Sequence, residues 1–162
     1  MKIVLGCDHR GAAAVRGLLP HLRAHGHQAD ILGPCEGSAC DYPDGAYRVA
    51  SAVAGHDADL GILICGSGIG MSIAANKVDG IRAALVCDEI TAKLARRHND
   101  ANVLCLSADM SGPDDIAQTV DAWLETEFEG GRHARRLRKV AAIEAGQDPS
   151  TVTADEGTTA TS

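Results

Sequence analysis

Five short, nearly continuous apolar runs, each followed by a longer Ala-rich or charged stretch, constrain this chain more than any other feature. They are Ile3-Val4-Leu5, Ala29-Asp30-Ile31-Leu32, Leu60 to Cys65, Ala83 to Cys87 and Asn102 to Leu106. Runs of this kind suit parallel strands buried on both faces, whereas strict alternation would signal a half-exposed sheet. The stretches between them read as helices over residues 11–25, 44–54, 70–78, 89–97 and 113–127, the last opening with Pro113-Asp114-Asp115 as a start signal. A sixth helical pattern covers 130–144. A β-α-β-α order with right-handed crossovers predicts an α/β fold, a three-layer α/β/α sandwich with a Rossmann-like, mainly parallel five-stranded sheet. Ligands of such sheets collect at the carboxyl ends of the strands, so function is to be sought in the strand-to-helix turns.

A chain of 162 residues has material for one core, here assigned to residues 1–146. Residues 147–162 are rich in Thr, Ser, Ala and Gly without apolar periodicity and are expected to be a disordered tail. Lys and Arg number 15 against 22 Asp and Glu, a formal charge of -7, which argues against nucleic acid and anionic membrane as partners. Any bound anion must then be held by a local cluster. No run is long enough to span a bilayer, and Met1-Lys2 leads straight into a strand pattern rather than a signal peptide, so a cytoplasmic chain is expected. The six cysteines read as thiols under those conditions. No C-x2-C unit occurs among them, so no structural zinc is expected.

Three turns carry candidate chemistry. Gly6-Cys7-Asp8-His9-Arg10-Gly11 sets a carboxylate, an imidazole and a guanidinium at a strand end, where Asp8 can either cap the next helix or serve a site. Cys65-Gly66-Ser67-Gly68-Ile69-Gly70 alternates three glycines after a buried strand, letting backbone N–H groups converge on an anion. Cys65 at its lip is either a buried small residue before a tight turn, or a nucleophile or base whose thiolate the helix start favours. A dinucleotide fingerprint would need Gly at 71 and a Cys-x5-Arg phosphatase loop would need Arg there, but the residue is Met71. No nucleotide cofactor is therefore expected. His98 closes the fourth helix and lies at the opposite edge of its own sheet from Cys65, so a site using both needs a second subunit, which predicts a symmetric dimer. The basic residues of 130–144, Arg132 and Arg136 among them, are either an anion clamp or a solvated face.

Taken together, Gly6-Cys7-Asp8-His9, Asp41-Tyr42-Pro43, Ile64 to Gly70, Ala74-Ala75-Asn76-Lys77, Gly80-Ile81-Arg82-Ala83, His98 to Asn102 and Gly130-Gly131-Arg132-His133 resemble the type B ribose-5-phosphate isomerases, relatives of the galactose-6-phosphate isomerases. The resemblance runs from Lys2 to about Glu144. It implies an aldose–ketose isomerase without metal or cofactor, working through a cis-enediolate on a sugar phosphate, as a homodimer or dimer of dimers with shared active sites. Carried over by position, Cys65 matches the base that moves the proton between C1 and C2. Asp8, Ser67 and His98 match ring-opening residues, and the backbone of Gly66, Gly68 and Gly70 would hold the enediolate oxygens. Tyr42 and Asn99 match sugar contacts, while His9, Arg132 and Arg136 match phosphate ligands.

Two positions depart from the family pattern. Ser67 stands where many members have Thr, which keeps the hydroxyl. Ser107-Ala108-Asp109 stands where members carry Gly-x-Arg with a phosphate-binding arginine, so Asp109 is expected to remove a favourable charge and add a repulsive one. The leading expectation is interconversion of ribose 5-phosphate and ribulose 5-phosphate in the pentose phosphate pathway. Asp109 motivates the alternative, an isomerase of a tetrose or hexose phosphate such as erythrulose 4-phosphate, allose 6-phosphate or galactose 6-phosphate. A sugar-phosphate-binding module without catalysis is the reading from another class.

Overall fold

The computed structural model describes residues 1–33 and 40–153. Five strands form one sheet: β1 (Lys2–Cys7), β2 (Gln28–Ile31), β3 (Leu60–Cys65), β4 (Ala83–Leu85) and β5 (Val103–Ser107). Their order is β2-β1-β3-β5-β4, and every neighbouring pair is parallel. All six residues of β3 are buried, as are all five of β5, which is why these central runs read as unbroken apolar sequence.

The helices α1 (Ala12–Ala24), α2 (Tyr42–Ala54), α3 (Ile69–Ala75), α4 (Glu89–Asn99) and α5 (Pro113–Leu124) cover both faces. Val15, Leu18 and Leu22 of α1, Ala92 and Ala95 of α4, and Ile116, Val120 and Trp123 of α5 pack on Ile3, Leu5, Ile62, Ile64 and Leu104. On the other face, Ala46, Val49 and Val53 of α2 with Met71 and Ala75 of α3 pack on Val4, Leu63, Val103 and Cys105. The three-layer sandwich expected from the sequence is thus realised, with a wholly parallel sheet. A further helix, α6 (Gly131–Glu144), follows the main body. Residues 154–162 of the expected tail lie outside the described residues. The first part of that tail is ordered, because Pro149–Thr151 forms a 3-10 turn whose Pro149 carbonyl accepts from Lys139 Nζ at 2.8 Å.

Helix starts follow local chemistry. Asp88 Oδ1 accepts the Thr91 N–H at 2.7 Å and caps α4, while Pro113 opens α5 where no N–H is needed. α2 begins at Tyr42, two residues before the expected Asp44, because Pro43 occupies its first turn after the extended Asp41. That earlier start places Tyr42 beside the glycine turn. The order reverses between β1 and β3, since β2 leaves on one side of β1 and β3 on the other, and this opens a crevice at their carboxyl ends.

Candidate active site

The register aligns the chemistry-bearing turns at that crevice, with Cys7 opposite Ile64 and Cys65 opposite Ser107. Asp8 is buried, and its Oδ1 accepts the backbone N–H groups of Arg10 at 2.9 Å and Gly11 at 3.0 Å. One carboxylate oxygen therefore closes the turn, while α1 starts from Gly11 without a side-chain cap, so the capping reading of Asp8 is not realised. Cys65 is only 4% exposed, and its Sγ accepts the N–H of Gly68 at 3.1 Å. The buried sulfur thus takes a backbone donor from the glycine turn. Gly68 has φ +75°, and a Cβ there would stand 3.0 Å from the Leu106 carbonyl oxygen, so glycine is needed both for conformation and for space. The hydroxyl of Ser67 accepts the Ile69 N–H at 3.3 Å. Tyr42 lies against Gly70, where an added Cβ would meet its ring at 2.7 Å. Neighbouring Cys105 behaves differently from a reactive thiol: burial first, and Cys65 second, push its pKa far up, which keeps it protonated.

Ser107 and Arg10, which had no assigned role, complete this edge together with Asp109. Ser107 is buried, donates to the Gly66 carbonyl at 2.6 Å and accepts the Met110 N–H at 3.1 Å, tying the β5 turn to the glycine turn. Arg10 reaches Asp109 through Nε at 3.1 Å and Nη2 at 2.7 Å. The pair lies over Gly66, where a Cβ would sit 2.9 Å from Asp109 Oδ2 and 3.0 Å from the Arg10 side chain. This corrects the expectation for Asp109: its charge is not left repulsive, because a guanidinium 99 positions earlier in the chain neutralises it. The signal was present in the sequence as an arginine beside His9, but only the fold brings it to Asp109.

His98, Asn99, Arg132 and Arg136 form a second group, at the end of α4 and the start of α6. The ring of His98 stacks on that of His133, with centroids 4.2 Å apart and planes 1° from parallel, and Glu129 Oε2 is 4.0 Å from His98 Nε2. Burial, then the charge of His98, pushes His133 below the usual histidine range, with Arg132 and Arg136 adding to the effect against Glu129. Arg132 Nε donates to His133 Nε2 at 3.3 Å, and Arg132 and Arg136 are otherwise open to solvent. Asp100, at φ 44°, accepts from Arg82 at 3.0 Å and Arg96 at 2.8 Å and so fixes the end of α4. This group adjoins the amino end of β5, whereas Cys65 aligns with Ser107 at its carboxyl end, four residues or about 13 Å further along. Within one chain the candidate residues therefore fall into two separate groups: Asp8, His9, Tyr42 and Cys65 to Gly70 in one, and His98, Asn99, Arg132 and Arg136 in the other.

The cysteines need one correction. Cys7 is disulfide-bonded, so the expectation of thiols throughout does not hold. Because β1 and β2 pair, with Leu5 against Ile31, the chain leaving β2 passes the end of β1, and Cys7 shares a 60 Å³ cavity with Gly33 and Cys40. Cys40, Cys65, Cys87 and Cys105 are free, and Cys35 lies outside the described residues. Among the described residues two groups have metal-ligand composition, His98-Glu129-His133 and His21-His25-Asp121. In the first the stacked rings project their in-plane lone pairs in parallel rather than toward one point.

A parallel sheet whose topological switch carries a glycine-rich anion cradle beside a buried thiol and a carboxylate defines an α/β protein built for a small anionic ligand. The chain belongs to the Ribose/Galactose Isomerase family, which matches residues 3–140. It is 45% identical over 143 residues to ribose-5-phosphate isomerase B of Escherichia coli K12, covering 88% of this chain and 96% of that one. Its fold is similar to that of ribose-5-phosphate isomerase B from Clostridium thermocellum, with TM-score 0.88, 44% identity, and coverage of 90% of this chain and 99% of that one. The Mycoplasma genitalium ribose-5-phosphate isomerase B, solved with bound ribulose 5-phosphate, gives TM-score 0.85 at 45% identity, covering 89% and 96%.

Proposed function

We propose that this protein is an aldose–ketose isomerase that interconverts ribose 5-phosphate and ribulose 5-phosphate. The observation that carries the mechanism is the buried Cys65 Sγ accepting the Gly68 N–H at 3.1 Å, at the mouth of the glycine turn. Together with the 45% identical isomerase of E. coli, it supports a thiolate base next to preorganised backbone donors. Cys65 removes the proton from C2 of the open-chain aldose and returns it to C1, while the O2 hydroxyl proton passes to O1. The backbone of Gly66, Gly68 and Gly70 stabilises the enediolate oxygens, a device worth on the order of 3 kcal/mol per well-placed donor. Asp8, Ser67 and His98 serve ring opening, Tyr42 and Asn99 hold the sugar, and His9, Arg132 and Arg136 bind the phosphate.

The separation of the two groups supports a site built from two chains, each group a half-site. A homodimer that sets the His98 group of one subunit against the Cys65 group of the other completes each site, and a dimer of dimers would contain the same pair. Exposed Ile69 and Ile73 of α3, Leu85 of β4, and Ile90 and Leu94 of α4 supply apolar surface for such a contact. No described helix is long and apolar enough to cross a membrane, which fits a cytoplasmic enzyme. The Arg10–Asp109 pair removes the bare charge that suggested tetrose and hexose phosphates, and the 45% identical ribose-5-phosphate isomerase B of E. coli favours the five-carbon phosphate.

The deciding experiment is proton NMR of ribose 5-phosphate in D2O with the purified protein, followed by the same reaction with tetrose and hexose phosphates. Ketose formation with deuterium incorporation is expected, fastest with the pentose phosphate. Faster turnover of another sugar phosphate would move the assignment to that substrate, and absence of all exchange by folded protein would refute the isomerase reading.

A further inference from the structure

The far end of α1 carries a constellation unconnected with the turn chemistry. α1 starts beside Asp8 and runs 13 residues, about 20 Å at 1.5 Å per residue, to the opposite edge of the sheet. Near that end His21 and His25, four positions apart, share one helix face and meet Asp121 of α5. His21 Nε2 lies 2.8 and 3.0 Å from the two carboxylate oxygens of Asp121. One ligand atom from each of the three residues lies within 4.8 Å of the other two.

Two independent features point to a cation rather than a chance cluster. His25 Nδ1 is 2.8 Å from the His21 carbonyl oxygen, which can only accept, so Nδ1 carries a proton and, in the neutral imidazole, Nε2 is the atom with the free lone pair. Metal-binding imidazoles are held in just this way, by donation from the other ring nitrogen to a carbonyl. The His21 and His25 rings, with centroids 4.3 Å apart, are tilted by 38°, so their in-plane lone pairs are not confined to parallel planes as those of His98 and His133 are. The carbonyl end of a helix also favours positive charge.

We infer that His21, His25 and Asp121 form a binding site for a divalent transition-metal ion of the zinc class. Two imidazoles and a carboxylate supply three ligands of a tetrahedral set, with water as the fourth, and such donors select zinc-like ions over magnesium or calcium. The ion takes the place of the proton shared between His21 and Asp121 and ties the last turns of α1 to α5. At this distance from Cys65 it takes no part in proton transfer.

The test is a calorimetric titration of zinc chloride into untagged, chelator-stripped, full-length protein, with thermal unfolding measured alongside. One equivalent bound per chain and a Tm that rises with zinc concentration are expected. His25→Ala alters an exposed residue, and Asp121→Asn keeps a hydrogen-bond partner for His21; each should weaken binding by at least about tenfold and abolish the Tm rise. His98→Ala, at the other candidate cluster, should leave the isotherm unchanged. No binding up to millimolar zinc, or an isotherm that both His25→Ala and Asp121→Asn leave unaltered, overturns the site.

Discussion

Asp109 and Arg10 show how a single residue changes meaning once its neighbour is known. The two side chains are 42% and 56% exposed, so solvent screens their ion pair and it contributes little to stability. Its effect falls on the electrostatics of the cradle. Arg10→Leu leaves Asp109 as an unpaired negative charge over Gly66, close to where a phosphorylated substrate must enter. A unit charge at several ångströms in a partly solvated site costs a dianion about 1–2 kcal/mol, so KM for ribose 5-phosphate should rise roughly tenfold. The double variant Arg10→Leu/Asp109→Leu should recover most of that loss. Steady-state kinetics of the two variants check the argument, and equal KM values in single and double variants would refute it. His133 gives a prediction in pH. Its folded pKa lies below the ordinary value of about 6.5, so as pH falls through 6.5 the unfolded chain takes up a proton that the folded chain does not. Stability is therefore full above that value and is lost progressively as pH falls toward the folded pKa. The slope of Tm between pH 7.5 and 5.5 should flatten in His133→Gln, only in part, because burial depresses His27 in the same direction. An unchanged slope would show that His133 does not titrate in this way.

At the level of elements, the glycine turn and the helices beside it separate backbone strain from catalytic geometry. Gly68 and Gly80 have nearly equal positive φ, +75° and +80°, but a Cβ at Gly80 meets nothing within 4 Å while one at Gly68 meets Leu85 and the Leu106 carbonyl. Gly80→Ala should cost only the left-handed backbone penalty, about 1–2 kcal/mol, which lowers Tm by several degrees with kcat intact. Gly68→Ala should lower Tm further and kcat as well, because shifting this residue moves the N–H that bonds Cys65 Sγ. Thermal unfolding and kcat measured together decide it; equal kcat in the two variants would detach the turn from catalysis. Legibility followed the same division. The strand runs, the approximate helix positions and the glycine turn were readable because apolar run length and glycine spacing are local properties, as the fully buried Leu60–Cys65 strand illustrates. The Arg10–Asp109 pair, the Ser107 bond to Gly66 and the stack of His98 on His133 were not, since each joins residues 35 or more positions apart through the packing of separate turns. Cys7 was misread for the same reason: its surroundings are set by the pairing of β1 with β2, which no local pattern encodes.

For the molecule as a whole, the fold sets the two groups of candidate residues, proposed above as half-sites, at opposite ends of β5. β5 holds them apart, with the His98 group adjoining its amino end and Cys65 registered against Ser107 at its carboxyl end. If two subunits exchange half-sites about a two-fold axis, each active site takes Cys65 from one chain and His98 from the other. Cys65→Ala homodimers then lack the base in both sites and should lose about 10²- to 10⁴-fold in kcat, and His98→Ala homodimers lack the ring-opening group in both. In a hybrid of the two, one site carries both substitutions and the other carries none. Random reassociation of equal amounts makes half of the dimers hybrids, each with one intact site of two, so about a quarter of the natural activity should return. The experiment is to unfold and refold the two variants together, count hybrids by native mass spectrometry and assay the mixture. Activity should track the hybrid fraction and be absent when the variants are refolded separately and kept apart. Hybrids that form in the expected proportion without activity would mean that each chain carries its own complete site, and that the gap along β5 is closed by a rearrangement within one subunit rather than by the partner.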